Sequence, residues 1–300
     1  MNDTGTQIKN LVFEGGGVKG IAYAGSLSIL EESGLIDGVT GYAGTSAGAI
    51  TACLCAAGLK SEDVQNILWD LDFNNFKDES FGVFRDSIRL LRHFGWCKGE
   101  FFSSWLSSVL EDHFGMSDPT FEDIHNANGN HLRLIGSNLS TGFSEVFSYD
   151  TTPDMSVVFA ARISMSIPLF FAAVPHNGSV YVDGGLFRNY PIRVFDDDFE
   201  KSETLGFRLD SPDEITTFKS AGTKMAKKEI VDFQDYLISL VSALMDVQQD
   251  RHLHSEDWGR TIYVNTGSIR TTQFDLTDDE KNFLVEQGQK GSTEFINNIK

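Results

Sequence analysis

Basic residues and cysteines are scarce in this sequence, and both shortages exclude certain classes of partner and of binding site. Its 24 lysines and arginines stand against 43 aspartates and glutamates, which gives a net charge of −19. Nucleic acids and anionic bilayers repel so acidic a chain at low salt, so we expect no nucleic-acid partner. The three cysteines, Cys53, Cys55 and Cys97, cannot all pair within one chain and are best interpreted as buried residues of a reduced protein. No Cys/His grouping has zinc-ligand spacing and no EF-hand loop is present, so no metal is predicted.

Long apolar runs are also missing. The opening MNDTGTQIKNLVF contains an acid early and no extended apolar segment, which argues against a secretory signal. Residues 38–59 carry no charge, but glycine, alanine, serine and threonine dominate them, and these residues gain little from lipid. We therefore expect a buried turn and helix there, no transmembrane span, and a cytoplasmic protein. Export without a cleavable signal stays open.

What the chain does contain is an alternation of strand and helix patterns. Its 300 residues, 41% of them hydrophobic, suffice for one large globular domain, placed at 1–300. A short apolar run at 9–14 predicts a buried strand that stops at three glycines, and 18–32 has helical spacing. A strand near 40–43 and a helix at about 47–57 follow, so this segment predicts a parallel crossover unit.

The later elements continue this alternation. An amphipathic pattern over 230–244 predicts a long helix. The other predicted elements are a helical, aromatic stretch at 61–126, a hairpin at 131–149, a helix at 155–164, extended segments at 179–182, 204–209 and 261–265, and a final helix near 278–299. Together they predict an α/β fold with three layers, α/β/α, around a central, mainly parallel sheet.

Two glycine-rich turns lie one crossover apart in this scheme. The first spans Gly15–Gly20, and the second, Gly44–Gly48, reads GTSAG and matches G-x-S-x-G between a strand and a helix. A serine on so tight a turn needs small neighbours, and the positive end of the following helix favours an oxyanion nearby. Both turns leave the carboxyl ends of parallel strands, so amides of the first could face Ser46. The plainer alternative makes Ser46 or Thr45 a helix cap.

The first turn also spells G-x-G-x-x-G, the dinucleotide-binding fingerprint. That fingerprint expects an acidic residue at the end of the second strand, whereas this strand ends in GTSAG and Asp37 precedes it. A P-loop would need Lys and then Ser or Thr after Gly20, where the sequence has Ile21. We therefore expect no cofactor.

A serine nucleophile needs a base, and Asp183 is the candidate that its neighbours favour. It ends a short apolar run and precedes Gly184 and Gly185, whose lack of bulk lets the carboxylate reach a neighbouring hydroxyl. Because a free Asp is a weak base, burial or close contact with Ser46 must raise its effectiveness. An ordinary Asp-Gly turn is the alternative.

In order and spacing, these motifs resemble the patatin-like phospholipase family over roughly residues 8–195. The matching segments are FEGGGVKG at 13–20, GTSAG at 44–48, ARISMSIPLF at 161–170, DGG at 183–185 and FRNYP at 187–191. The resemblance implies a patatin-like fold and a lipid acyl-ester hydrolase of the phospholipase A or lysophospholipase type.

The resemblance also implies a role for each matching residue. Ser46 would attack the acyl carbonyl and Asp183 would take its proton, as a Ser–Asp dyad that works through an acyl-enzyme. The amides of Gly15, Gly16 and Gly17 would hold the oxyanion. The residues that support these motifs are Lys19, Gly20, Gly44, Gly48, Gly184 and Gly185.

A lipid substrate needs an apolar groove, and the aromatic region within 61–126 is a candidate lining or lid. The candidates for contact with phosphate head groups or the lipid surface are arginines on one predicted helix face, Arg85, Arg89 and Arg92. Such contact would make the protein a peripheral membrane binder, and an ordinary solvated helix is the alternative. The motif-bearing core then spans about 8–195, and 212–300 form a C-terminal helical extension.

Three other activities stay open. An acyltransferase would use the same serine with an acceptor other than water. A Ser–His–Asp hydrolase would add His252 or His254, and the chain order permits it. A non-enzymatic lipid-binding protein would make the three motifs a coincidence. The sequence does not indicate head group, acyl position, chain length or oligomeric state.

Overall fold

The strands of this protein form one eight-stranded and one two-stranded sheet within the residues that the computed structural model describes, which are 7–77, 94–212, 240, 243 and 255–299. The strands are β1 (Asn10–Phe13), β2 (Gly41–Gly44), β3 (Gly95–Cys97), β4 (His131–Asn138), β5 (Phe143–Ser148), β6 (Leu169–Phe171), β7 (Val174–His176), β8 (Ser179–Asp183), β9 (Thr204–Asp210) and β10 (Thr261–Asn265). The α-helices of these ranges are α1 (Ala22–Glu32), α2 (Ala47–Ala56), α3 (Ser61–Asp70), α4 (Glu100–Phe114), α5 (Phe121–Asn128), α6 (Val157–Ser164), α7 (Gly185–Arg188) and α8 (Asp278–Ile299). Short 3-10 helices occupy Gly17–Ile21, Phe73–Lys77, Lys201–Glu203 and Ser255–Arg260.

The large sheet is mainly parallel. Its strands lie in the order β10-β9-β1-β2-β4-β8-β7, and β5 pairs with β4. The first five strands of this order run parallel to their neighbours, whereas β5, β7 and β8 pair antiparallel. The predicted α/β class with a central, mainly parallel sheet is confirmed.

One side of β4 changes partner halfway along the strand. Gly44, the last residue of β2, pairs with Leu134, and Asp183, the last residue of β8, pairs with Gly136. Since β5 occupies the opposite side of β4 over this stretch, β2 and β8 meet end to end on the same side. This arrangement brings the ends of the two motif-bearing strands together.

Side chains from the sheet fill two hydrophobic clusters, one on each face. Along β1, Leu11 and Phe13 belong to the larger cluster, which also contains α1 and α2, while Val12 belongs to the smaller one. Residues 190–195 close the smaller cluster. Burial on both faces explains the continuous apolar runs of these parallel strands.

The C-terminal region belongs to the same core. Strand β10 extends the large sheet, and α8 packs against α1, where Ser26 Oγ donates a hydrogen bond to the carbonyl of Gly288 at 3.1 Å. A Cβ on Gly25 or on Gly288 would overlap a backbone carbonyl of the other helix. The region expected as a helical extension thus supplies a sheet strand and a core helix.

Three short strands were not expected from the sequence. β3 lies inside the region predicted as helical, and it pairs with β6 in the separate two-stranded sheet. β7 is an edge strand that contains Pro175, which has no N–H to donate to a further strand. Strands of three residues are too short to show an alternating pattern. The helix predicted at 230–244 lies outside the described residues except for 240 and 243.

Candidate active site

Ser46 lies at the sharp turn between β2 and α2. It has φ 53° and ψ −123°, a left-handed conformation that is costly for a residue with a side chain. Close packing explains the flanking glycines, because a Cβ on Gly44 would overlap the backbone of Gly48 and a Cβ on Gly48 would overlap the carbonyl of Phe13. The turn therefore holds a strained serine, 5% exposed, at the amino end of a helix.

The Gly15–Gly17 loop lies beside this turn. β1 and β2 pair in parallel with Phe13 opposite Gly44, so the chain leaves both strands at the same edge of the sheet. A Cβ added to Gly15 would stand 3.2 Å from the Ser46 Cβ. The expectation that the two glycine-rich turns share an edge is confirmed.

The amides of this loop differ in their hydrogen bonding. Gly15 N–H donates to the carbonyl of Asn189 at 3.1 Å, so it is already engaged. None of the described residues accepts a hydrogen bond from the N–H of Gly16 or Gly17. Of the three glycines that the sequence indicated as oxyanion donors, these two have N–H groups left open, without an acceptor among the described residues.

Asp183 reaches Ser46 because β8 ends where β2 ends. The carboxylate is 1% exposed, and its Oδ1 accepts a hydrogen bond from Gly185 N–H at 2.7 Å. The Ser46 hydroxyl also interacts with the carboxyl group, although Oδ2 has no partner of full hydrogen-bond geometry among the described residues. A loose contact between nucleophile and base is common before substrate binds.

Burial dominates the protonation of Asp183. Removal from water raises its pKa from 3.8 to about 7, and hydrogen bonding from the Ser46 hydroxyl and the Gly185 amide only partly opposes this rise. A base with a pKa near the working pH is both substantially ionised and basic enough to accept a proton. The environment supplies the basicity that a free Asp lacks.

An apolar cavity lies beside Ser46. Apart from Ser46, its lining residues are Gly17, Val18, Ala47, Ile50, Phe73, Phe76, Met165, Ile167, Phe171, Thr271 and Phe274. The cavity volume is about 30 Å³. Phe73 and Phe76 come from the aromatic region that the sequence indicated as a lining.

Other indicated residues pack around the site or lie outside the described residues. Lys19 and Gly20 belong to the 3-10 helix after the glycine loop, and a Cβ on Gly20 would stand 3.0 Å from the Ala47 Cβ. A Cβ on Gly184 would overlap the carbonyl of Ile135. The candidates outside the described residues are Arg85, Arg89, Arg92, His252 and His254. Within the described ranges, no histidine hydrogen-bonds to Ser46 or Asp183.

Sequence reasoning missed two contacts at the site. The hydroxyl of Ser164, which is fully buried, accepts a hydrogen bond from Ser46 N–H at 3.0 Å. The carbonyl of Thr271 accepts one from Val18 N–H at 3.1 Å, so the segment after β10 reaches the catalytic loop. Ser164 lies in a segment that the sequence had indicated, but no motif marks Thr271.

Comparison with known families agrees with this geometry. The model of the family described as patatin-like phospholipase matches residues 11–196, which is more than half of the chain. The chain belongs to the patatin-like phospholipase family. The glycine loop, Ser46 and Asp183 all lie within the matched span, and membership of the family supports lipid ester hydrolase activity.

Relatives match this patatin-like chain over most of its length. YqhO of Bacillus subtilis, an uncharacterized protein, is 30% identical over 301 residues, with 95% of this chain and 97% of the relative covered. The uncharacterized protein R571 of Acanthamoeba polyphaga mimivirus is 29% identical over 295 residues, with 97% and 94% covered. Protein 463L of Invertebrate iridescent virus 6, called a probable lipid hydrolase, is 25% identical over 196 residues, which is 62% of each chain.

Solved structures share the fold of this patatin-like chain. VipD from Legionella pneumophila superposes with a TM-score of 0.65 at 20% identity, with 97% of this chain and 67% of that protein covered. The type III effector ExoU superposes with a TM-score of 0.54 at 18% identity and 97% coverage of this chain. This chain spans 53% of the effector, about half of its length.

The described ranges contain neither a membrane-spanning helix nor a cluster of potential metal ligands. No helix there combines the length and the apolar character needed to cross a bilayer. The same ranges contain no group of three or more His, Cys, Asp or Glu side chains placed to hold a metal ion.

Proposed function

We propose that the chain hydrolyses acyl esters of lipids, with Ser46 as the nucleophile and Asp183 as the base. The observation that carries the proposal is the meeting of four features at one edge of the sheet. These features are a strained serine, a buried carboxylate with a raised pKa, open loop amides and an apolar cavity. Membership of the patatin-like phospholipase family supports a lipid as the substrate.

Acylation of the enzyme is the first half of the proposed reaction. Asp183 accepts the hydroxyl proton while Ser46 Oγ attacks the ester carbonyl carbon. The resulting oxyanion receives hydrogen bonds from the N–H groups of Gly16 and Gly17 and is favoured by the amino end of α2. The C–O ester bond then breaks, and Asp183 gives its proton to the departing alcohol. The acyl group stays on Ser46.

Deacylation completes the cycle. Asp183 takes a proton from water, whose oxygen attacks the acyl carbonyl, and the same two amides hold the second oxyanion. The bond to Ser46 Oγ breaks, the carboxylic acid leaves, and Asp183 returns a proton to the serine. The net reaction consumes one ester and one water and releases one acid and one alcohol.

The lining of the cavity favours an acyl chain as the group held beside Ser46. Its phenylalanine, isoleucine and methionine side chains match hydrocarbon, whose burial contributes about 0.8 kcal/mol for each CH₂ group. We assign the enzyme to the phospholipase A or lysophospholipase type. Head-group contact by Arg85, Arg89 and Arg92 remains a prediction.

Labelling with a fluorophosphonate tests the serine assignment. We expect the probe to label the wild-type protein at Ser46, since only an activated serine forms the phosphonyl adduct. Peptide mapping after labelling identifies the modified residue. Hydrolysis of phosphatidylcholine and lysophosphatidylcholine, followed by product analysis with and without an added alcohol acceptor, then separates hydrolase from acyltransferase.

Ser46→Ala and Ser33→Ala form a matched pair for this experiment. Ser33 lies at the end of α1, away from the site, so its variant should label and hydrolyse like wild type. Ser46→Ala should do neither. Label on a different serine, or lipid hydrolysis retained by Ser46→Ala, contradicts the proposed function.

A further inference from the structure

The segment that follows Asp183 touches the other two parts of the site. From the base, the chain passes through α7 to Arg188 and Asn189. The hydroxyl of Thr45, next to the nucleophile, donates a hydrogen bond to the carbonyl of Arg188 at 3.0 Å. The carbonyl of Asn189 accepts the N–H of Gly15. One short segment therefore joins the base, the nucleophile turn and the glycine loop.

Asn189 holds Gly15 at two points. Its carbonyl accepts Gly15 N–H at 3.1 Å, and its side-chain Nδ2 donates to the Gly15 carbonyl at 3.2 Å. The Gly15 carbonyl and the Gly16 N–H belong to the same planar, trans peptide group, so they point in opposite directions. Because Asn189 holds the Gly15 carbonyl, the Gly16 N–H points away from Asn189. This N–H is one of the two open amides.

Glu14 sets the orientation of the Asn189 amide. Its carboxylate is 3% exposed, Oε2 accepts Leu209 N–H at 2.8 Å, and Oε1 lies 3.4 Å from Asn189 Nδ2. Both groups that Nδ2 faces, this carboxylate and the Gly15 carbonyl, can only accept hydrogen bonds, so the NH₂ end of the amide must face them. A Cβ on Gly15 would overlap Asn189 Oδ1, which explains why glycine stands there.

We propose that Asn189 is a positioning residue whose side-chain amide aims the Gly16 N–H at the oxyanion formed during ester cleavage. The inference rests on the proposed function and deepens it. Asn189 makes no contact with the reacting atoms in this mechanism, and it acts through the Gly15–Gly16 peptide. Loss of one oxyanion donor lowers kcat by about 10²- to 10³-fold, so loss of its aim should cost at least about tenfold.

Asn189→Asp tests this role with almost no change in shape. The substitution replaces the NH₂ donor with an oxygen that faces two acceptors, so the Gly15 carbonyl loses its partner. With p-nitrophenyl butyrate we expect kcat to fall at least about tenfold and KM to change less than about threefold. Affinity for a trifluoromethyl ketone, whose serine adduct carries the oxyanion, should fall in parallel with kcat/KM.

Asn10→Asp is the matched control. Asn10 is also buried, lies at the other end of β1, and donates from Nδ2 to Thr204 Oγ1 at 3.3 Å. A Cβ on Gly41 would overlap the Oδ1 of Asn10, just as a Cβ on Gly15 would overlap the Oδ1 of Asn189. We expect this variant to lower the melting temperature and to keep kcat within about threefold of wild type.

Two results overturn the positioning role. The first is an Asn189→Asp variant that keeps the wild-type kcat and inhibitor affinity. The second is an equal loss of kcat in both asparagine variants, because this would indicate a general structural effect. Neither result depends on the assignment of Ser46. If Ser46→Ala retains activity, the proposed function itself fails, whatever the asparagine variants show.

Discussion

At the scale of single residues, the proposed role of Asp183 as the base predicts how activity responds to pH. The base must be ionised to accept the serine proton, and burial raises its pKa to about 7. We therefore expect kcat/KM to rise about tenfold per pH unit below pH 7 and to level off above it. Initial rates with p-nitrophenyl butyrate between about pH 5 and pH 9 measure the profile.

Asp183→Asn is the control for this profile, and it should be inactive at every pH. The raised pKa of Asp183 also makes the stability of the folded wild-type protein depend on pH. The folded protein holds the Asp183 proton up to about pH 7, whereas the unfolded chain releases it near pH 3.9, so wild-type stability falls as pH rises between these values. The melting-temperature advantage of the Asn variant should grow across this window and stay constant above it. A rate that is flat through pH 7, or an active Asn variant, contradicts Asp183 as the base.

Some residues of the site belong to short sequence motifs, whereas others depend on contacts between residues that are far apart in the sequence. The motifs around Ser46, Asp183 and the glycine loop could be recognised in the sequence, because a tight turn imposes small residues at fixed spacing, and the catalytic roles of these residues are our proposal. The role of Asn189 could not be recognised, because its contact with Gly15 joins residues 174 positions apart. The engagement of the Gly15 amide was missed for the same reason. Its acceptor belongs to a different strand connection.

At the scale of elements, the meeting of β2 and β8 alongside β4 brings Ser46 and Asp183, the proposed dyad, together. The short apolar run before Asp183 predicted that 179–182 is extended, but such a run does not say which strand it joins or in which register. Asp183 pairs with Gly136, two residues beyond the partner of Gly44. This register depends on the tertiary structure rather than on the local sequence. The elements were therefore predictable and their end-to-end contact was not.

Helix α2 carries Ser46 at its amino end and Ile50 in the cavity lining, so the proposed function predicts a change in chain-length preference. Ile50 lies one turn after Ser46 and lines the cavity. Replacing it with Phe adds bulk where the acyl chain must pass. We expect Ile50→Phe to lower kcat/KM for p-nitrophenyl palmitate by about tenfold or more, the effect of a few methylenes in an apolar pocket. The rate with p-nitrophenyl butyrate should change much less.

Ile36→Phe makes the same change at a half-buried position in the connection between α1 and β2, away from the cavity. It should leave the palmitate-to-butyrate ratio unaltered. If Ile50→Phe lowers kcat/KM equally for the palmitate and butyrate esters, the cavity is not the acyl site. An altered ratio in Ile36→Phe would indicate that packing in general, rather than the cavity lining, sets the preference.

At the scale of the whole molecule, the region beyond the family match completes the structure. The match ends at residue 196, yet β10 extends the sheet and α8 covers α1. Thr271, between them, accepts a hydrogen bond from Val18 beside the oxyanion loop. The sequence predicted β10 and α8 from their patterns. Their integration into the core could not be predicted, because it depends on close backbone contacts rather than on side-chain period.

Gly288→Ala tests this integration, since two opposing effects act at that position. Alanine favours a helix over glycine by about 1 kcal/mol, so an exposed site would gain stability. Here the added Cβ would overlap the carbonyl of Ala22 on α1, and backbone cannot move aside as a flexible side chain can. We expect a net loss of about 2 kcal/mol in the free energy of unfolding, because strain of this kind outweighs the helix propensity of alanine.

Thermal melting of Gly288→Ala, followed by tryptophan fluorescence and by residual esterase activity, should show one shared transition at a lower temperature than in the wild type. Gly259→Ala, where a Cβ meets nothing within 4 Å, should melt like wild type. A Gly288→Ala protein of equal or higher stability, or one that melts in two separate steps, would show that α8 folds independently of the catalytic core.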